Sequence, residues 1–134
     1  MELRPFRWLP IVVLTVAVVG LIMTESILAV RGTVEIIRPE QHDRLSGVVD
    51  VYGSAMSEAF AYYQLEYSPS GLNWVPIGEA RYTRQVHQGL LGRWDTRGLR
   101  PGRYQLRLSV VDTMGNRTQR TIEVSIVGTP PRGE

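Results

Sequence analysis

The chain of 134 residues has no cysteine and no lysine. Without cysteine there is no disulfide, no thiolate nucleophile and no Cys-based metal site, so a domain exported by such a chain folds on burial and hydrogen bonding alone. All fifteen basic residues are arginine, set against thirteen acids for a net charge of +2. These charges are dispersed. No basic stripe, recognition-helix pattern or RNA-binding aromatic motif is present, and nucleic acid is not an expected partner. Histidine is scarce: His42 and His87 are the only two, and neither stands in a metal-ligand spacing. His42-Asp43 near Ser46 contains the residue types of a triad, but a polar turn explains the stretch more simply. No nucleophile elbow, phosphate loop or zinc-protease motif occurs. Asp95, Asp112 and Asn116 offer oxygen ligands suited to Ca²⁺, yet no EF-hand-like loop surrounds them, and turn or hairpin capping is the expectation. The sequence therefore predicts no catalytic residue, no cofactor and no metal, and a chain that is not an enzyme.

One long apolar run is present. Trp8 to Met23, WLPIVVLTVAVVGLIM, follows Arg4 and Arg7 and is interrupted by Thr24, Glu25 and Ser26. Two readings of residues 1–30 stay open. A signal peptide needs a basic start, roughly 7–15 apolar residues and a small-residue cleavage site, for which Ala29 is a candidate. A membrane anchor needs roughly 17–25 mostly apolar residues, which Trp8–Val30 supplies if Glu25 sits at the outer interface. Trp8 would then lie in the inner interfacial belt, and Arg4 and Arg7 would hold the N-terminus in the cytoplasm. The anchor predicts a single-pass cell-membrane protein with an extracytoplasmic C-terminal domain; the signal peptide predicts a secreted one.

From residue 31 the pattern changes to short alternating runs separated by turn residues, the signature of strands. Thr33–Arg38, stopped by Pro39, reads as the first strand and Gly47–Gly53 as the second. In the third, Ala59–Tyr67, residues Ala61, Tyr63, Leu65 and Tyr67 share one face while Tyr62, Gln64 and Glu66 share the other. Trp74–Ile77 returns after the Ser-Pro-Ser-Gly turn and belongs at a sheet edge, because Pro76 has no N–H to donate. Gln85–Trp94 is a weaker strand. Tyr104, Leu106, Leu108 and Val110 alternate strongly, and Ile122, Val124 and Ile126 face inward in the last strand. Seven strands without a convincing helix predict an all-β, antiparallel sandwich over residues 31–128, followed by a disordered tail at 129–134.

Three segments carry a family resemblance: Tyr63–Trp74, of the form Y-x-L-E-Y-S-x-x-G-x-x-W; Gly89–Thr96, of the form G-x-L-x-x-W-D-T; and Leu99–Leu108 with Asp112–Asn116 after it. Together they resemble bacterial extracytoplasmic immunoglobulin-like or fibronectin type III-like modules, which accompany secreted hydrolases, cell-wall enzymes and surface proteins. The resemblance covers about 95 residues and implies a seven-stranded sandwich. Within it, Leu99-x-Pro-Gly-x-Tyr104 looks like a tyrosine corner, and Asp112-x-x-Gly115-Asn116 fits a hairpin between the last two strands. The cysteine pair of antibody domains is missing, as is the second-strand Trp of many fibronectin type III domains.

Two kinds of surface follow. Phe60, Tyr62, Tyr82, Leu90 and Leu91 are the candidate contact surface for a protein partner, since an apolar patch on a wet sheet face marks an interface. Trp74 and Trp94 are the candidate platform for stacking sugar rings, although large aromatics also serve as core. The leading expectation is a non-catalytic, membrane-tethered accessory subunit of a larger membrane or envelope protein. The alternative is a binding module for cell-envelope glycan.

Overall fold

The computed structural model describes residues 32–128. The expected N-terminal hydrophobic helix and the tail at 129–134 lie outside these described residues. Among the described residues, no helix is long and apolar enough to cross a membrane.

Among the described residues eight strands follow in order: β1 (Gly32–Arg38), β2 (Arg44–Leu45), β3 (Val48–Ser57), β4 (Phe60–Ser68), β5 (Val75–Pro76), β6 (Val86–Asp95), β7 (Gly102–Asp112) and β8 (Arg117–Ile126). They form a three-stranded sheet, β1-β3-β6, and a five-stranded sheet, β2-β8-β7-β4-β5. The expected seven strands become eight because β2 was missed. Two residues are too short to alternate, and Arg44 and Leu45 become a strand only by lying beside Ser125 and Ile126. That pairing is parallel, so the sandwich is not wholly antiparallel. β5 ends the five-stranded sheet, as the missing Pro76 N–H requires.

The inward faces of the two sheets meet in one apolar cluster. Val51, Ala55, Leu91 and Trp94 come from the three-stranded sheet, and Tyr63, Leu65, Tyr104, Leu106, Leu108, Val110, Val124 and Ile126 from the other. The alternation read from β4, β7 and β8 thus sorts residues to core and surface, since successive side chains leave a strand on opposite faces. Bulges shift the alternation of the strands at several points, two of which bear on candidate residues. Ala61 falls between the pairs Phe60↔Asp112 and Tyr62↔Val111. Leu91 falls between Tyr52↔Leu90 and Val51↔Gly92, which turns Leu91 inward while Leu90 stays exposed.

Local chemistry fixes the connections. The Tyr104 hydroxyl donates to the Arg100 carbonyl oxygen at 2.8 Å, four residues upstream, and its ring packs edge-on to Trp94 and Tyr67. In the β7–β8 hairpin, Asp112 Oδ1 accepts the Met114 and Asn116 amides at 2.9 Å and Oδ2 accepts Asn116 Nδ2 at 3.0 Å. Gly115 supplies the positive φ of 86° that this turn requires.

Candidate interaction surfaces

The residues expected to form a partner surface do not lie together on one. Leu91 is 1% exposed and Trp94 2%, so neither offers a surface. Trp94 stacks on Tyr67 with ring centroids 5.2 Å apart, and no sugar reaches a ring enclosed between two sheets. Phe60 packs against the core cluster. Tyr82 lies flat on Tyr63, with centroids 4.7 Å apart and planes 8° from parallel. Its backbone exchanges two hydrogen bonds of 2.9 Å with Tyr63, and its hydroxyl donates to the Ile77 carbonyl at 3.0 Å. Tyr82 therefore extends the edge of β4 beyond β5. A shallow cleft of about 270 Å³ opens beside it, bordered by Glu79, Thr83, Arg84 and Val86. Burial pushes the Tyr63 hydroxyl up to about 12, helped by the neighbouring Tyr82 and Glu79; that hydroxyl donates to the Leu91 carbonyl at 2.7 Å.

The outer face of the five-stranded sheet is polar and tightly engaged. The Arg81 guanidinium lies 4.4 Å above the Tyr62 ring, so Tyr62 is half-buried rather than open. Arg117 Nη1 donates to Gln64 Oε1 at 2.9 Å. Arg107 pairs with Glu66 at 3.0 Å, both well shielded, and Trp74 covers the same guanidinium at 3.7 Å. One face of the Trp74 ring is thus occupied by arginine.

An apolar surface exists on the other sheet. Seven large hydrophobic side chains are exposed among the described residues, and four belong to the three-stranded sheet: Ile37 (40%), Val48 (51%), Tyr52 (40%) and Leu90 (42%). Tyr52 and Leu90 are cross-strand partners. Ile37 occupies the β1 bulge beside Tyr52, and Val48 lies two positions from the Arg93–Asp50 ion pair on the same face of β3.

The polar candidates resolve into turns. Asp43 Oδ2 accepts the Glu40 amide at 2.8 Å, and His42 donates its backbone N–H to the Glu123 carbonyl at 2.7 Å; no triad forms with Ser46. Asp95 is held in a fork by Arg97, whose Nε and Nη2 donate at 2.9 and 2.8 Å. That side-chain pairing, followed by the Arg97 backbone amide, lowers the Asp95 carboxyl to about 2. Asp112 is also lowered, first by the Asn116 side chain and then by its amide. Asp95 pairs with Val48 at the start of β3, whereas Asp112 pairs with Phe60, beyond the far end of that strand. They hold separate turns, and no group of metal-binding side chains is found among the described residues.

No family model and no curated protein matches the chain. Among solved structures it is similar to the endo-β-1,4-mannanase from Thermotoga petrophila, at 14% identity and a TM-score of 0.49, over 71% of this chain and 19% of that one. The chain spans less than a fifth of that enzyme. The neighbour is an enzyme, so the expectation that this chain is not one is withdrawn. A match this distant and partial transfers no activity in its place.

Sequence reasoning missed Ile37, Val48 and Tyr52. The alternation Val48, Asp50, Tyr52 against Val49 and Val51 was available as a signal. Nothing in the sequence, however, brings Ile37 and Leu90 to Tyr52 from about 15 and 40 residues away; strand register does.

Proposed function

We propose that the domain is an extracytoplasmic accessory module that docks on a larger membrane or envelope protein through the outer face of its three-stranded sheet. The reading rests on the row Ile37–Tyr52–Leu90, three exposed apolar side chains side by side on one face, with exposed Val48 further along β3 beyond the Arg93–Asp50 ion pair. Contiguous apolar surface of this kind marks contact sites. The apolar run at 8–23 supports export, with residues 1–30 acting as anchor or signal, and an anchor would raise the local concentration of a weakly binding face. The finer immunoglobulin-like reading is supported by the Tyr104–Arg100 hydrogen bond, which has the form of a tyrosine corner.

The test is purification of the full chain from native membranes in mild detergent, with mass spectrometry of the chain and of co-purifying proteins. A reproducible membrane partner that disappears with Tyr52→Ser and Leu90→Ser, while the thermal transition stays cooperative, is the expected result. A partner retained equally by both variants would overturn the assignment of this face.

A second reading keeps Trp74 as a single stacking ring for envelope glycan, beside Glu66 and Arg107 on the five-stranded sheet. It predicts polysaccharide retention that Trp74→Ala abolishes without unfolding the domain.

A further inference from the structure

Strand β8 is paired with β7 from Arg117 to Ile126, but among the described residues its other edge is covered only near its end. β2 reaches Ser125 and Ile126. The turn before β2 extends that cover by one pair: Gln41 Oε1 accepts the Glu123 amide at 3.0 Å, and His42 N donates to the Glu123 carbonyl at 2.7 Å. Every second residue presents its N–H and C=O to the same side of a strand, so Thr121 and Gln119 come next. Among the described residues, no strand lies beside them. An uncovered edge is a template for a further strand.

The sheets also part beside this edge. A cleft of about 150 Å³ opens between β1 and β8, with Val34, Met56 and Val110 on its apolar side and Thr118 and Arg120 on the β8 side. The segment Arg117-Thr118-Gln119-Arg120-Thr121-Ile122 has two arginines and no acid. Arg117 donates to Gln64 and Arg120 to the Gln119 carbonyl; neither is ion-paired with a described carboxylate. Asp112 also lines the cleft, but both its carboxylate oxygens serve the hairpin.

We propose that the β8 edge at residues 117–121 receives an extended acidic segment of a partner protein as an added strand, with an apolar side chain entering the cleft and carboxylates meeting Arg117 and Arg120. In such pairing the main chain contributes affinity and the side-chain pockets contribute selectivity. Charge selects the occupant. A second copy of this chain paired through the same edge would bring four arginines together without an acid, whereas an acidic strand is complementary. The edge strand belongs to the other sheet from the one whose outer face is apolar, and the proposal stands independently of that reading.

The probe is a short fluorescent peptide alternating glutamate and valine, titrated against the full chain in detergent and followed by anisotropy, with a lysine–valine peptide as control. The expected result is saturable, salt-sensitive binding of the acidic peptide only, with slowed amide exchange at 119 and 121. Thr121→Pro removes an edge N–H that β7 does not use, and Arg120→Glu reverses the charge; each is expected to weaken binding about tenfold or more. Tyr52→Ser is expected to leave it unchanged. Should Thr121→Pro fail to fold, a peptide N-methylated at alternate amides removes the same main-chain pairing from the other side. Absence of binding, equal binding of the lysine peptide, indifference to N-methylation, or a β8-dependent dimer of the chain in place of peptide binding would each overturn the proposal.

Discussion

Gly53 illustrates how single positions hold this sandwich. It sits in the middle strand of the three-stranded sheet, opposite Ile36 and Gly89. A Cβ there would collide with the Glu35 carbonyl oxygen and lie 2.9 Å from Leu91 Cδ1. Since one obstacle is backbone, Gly53→Ala is expected to cost about 3 kcal/mol, the upper part of the overpacking range, measured by chemical denaturation. Tyr63 is the second such residue. Its hydroxyl is buried and satisfied by the Leu91 carbonyl, so Tyr63→Phe leaves that acceptor unpaired and is expected to cost about 1–2 kcal/mol. Tyr104 was legible before the fold was known, because its hydrogen bond is local: donor and acceptor are four residues apart. Tyr63 was legible only as an inward residue, since its acceptor is 28 residues away.

Strands β4, β7 and β8 were readable because each is long enough to alternate and has one face in the core. β2 was not, because its two residues acquire strand geometry only from β8. Between β4 and β7 the outer face carries a coupled group, Trp74 over Arg107 over Glu66. Glu66→Ala would strand a well-shielded guanidinium, whose Nε already has no hydrogen-bond partner; a loss of about 1–3 kcal/mol is expected. Trp74→Ala removes the stacked cover and should cost about 1 kcal/mol. The double variant should lose less than the sum, because both act on Arg107. Additive losses in a double-mutant cycle would show that Trp74 and Glu66 act separately.

The stability of the whole domain should fall at both ends of the pH scale. Asp95 and Asp112 have carboxyls lowered from 3.8, Asp95 to about 2. Their contribution is present above about 3.9, where the unfolded chain is ionised, and is lost as pH falls through each lowered carboxyl value, about 2 for Asp95. Tyr63 behaves oppositely at high pH. Its hydroxyl ionises at 10 when unfolded and about 12 when folded, so its contribution is whole below 10 and lost as pH rises from 10 to 12. Thermal unfolding across pH should therefore show an acid limb flattened by Asp95→Asn with Asp112→Asn, and an alkaline limb flattened by Tyr63→Phe. Limbs unchanged in these variants would assign the pH dependence to other groups. Across the same molecule, the two outer faces divide into a polar, arginine-covered sheet and a partly apolar one, and partner loss on Tyr52→Ser with retained stability is the expected mark of the second.

The sequence by itself determined the all-β class, the inward faces of the main strands, the edge position of Pro76, the Asp112–Asn116 hairpin and the local hydrogen bond of the Tyr104 hydroxyl. All follow from period-2 burial or from hydrogen bonds spanning a few residues. Only the tertiary structure decided which aromatics are surface and which are core. Trp94 is enclosed by Tyr67 and Tyr104 from other strands, Tyr62 is covered by Arg81 from a loop, and one bulge turns Leu91 inward beside an exposed Leu90. A side chain's exposure depends on what the rest of the chain lays over it, and for these residues the covering groups come from distant sequence through strand register, which no local pattern encodes.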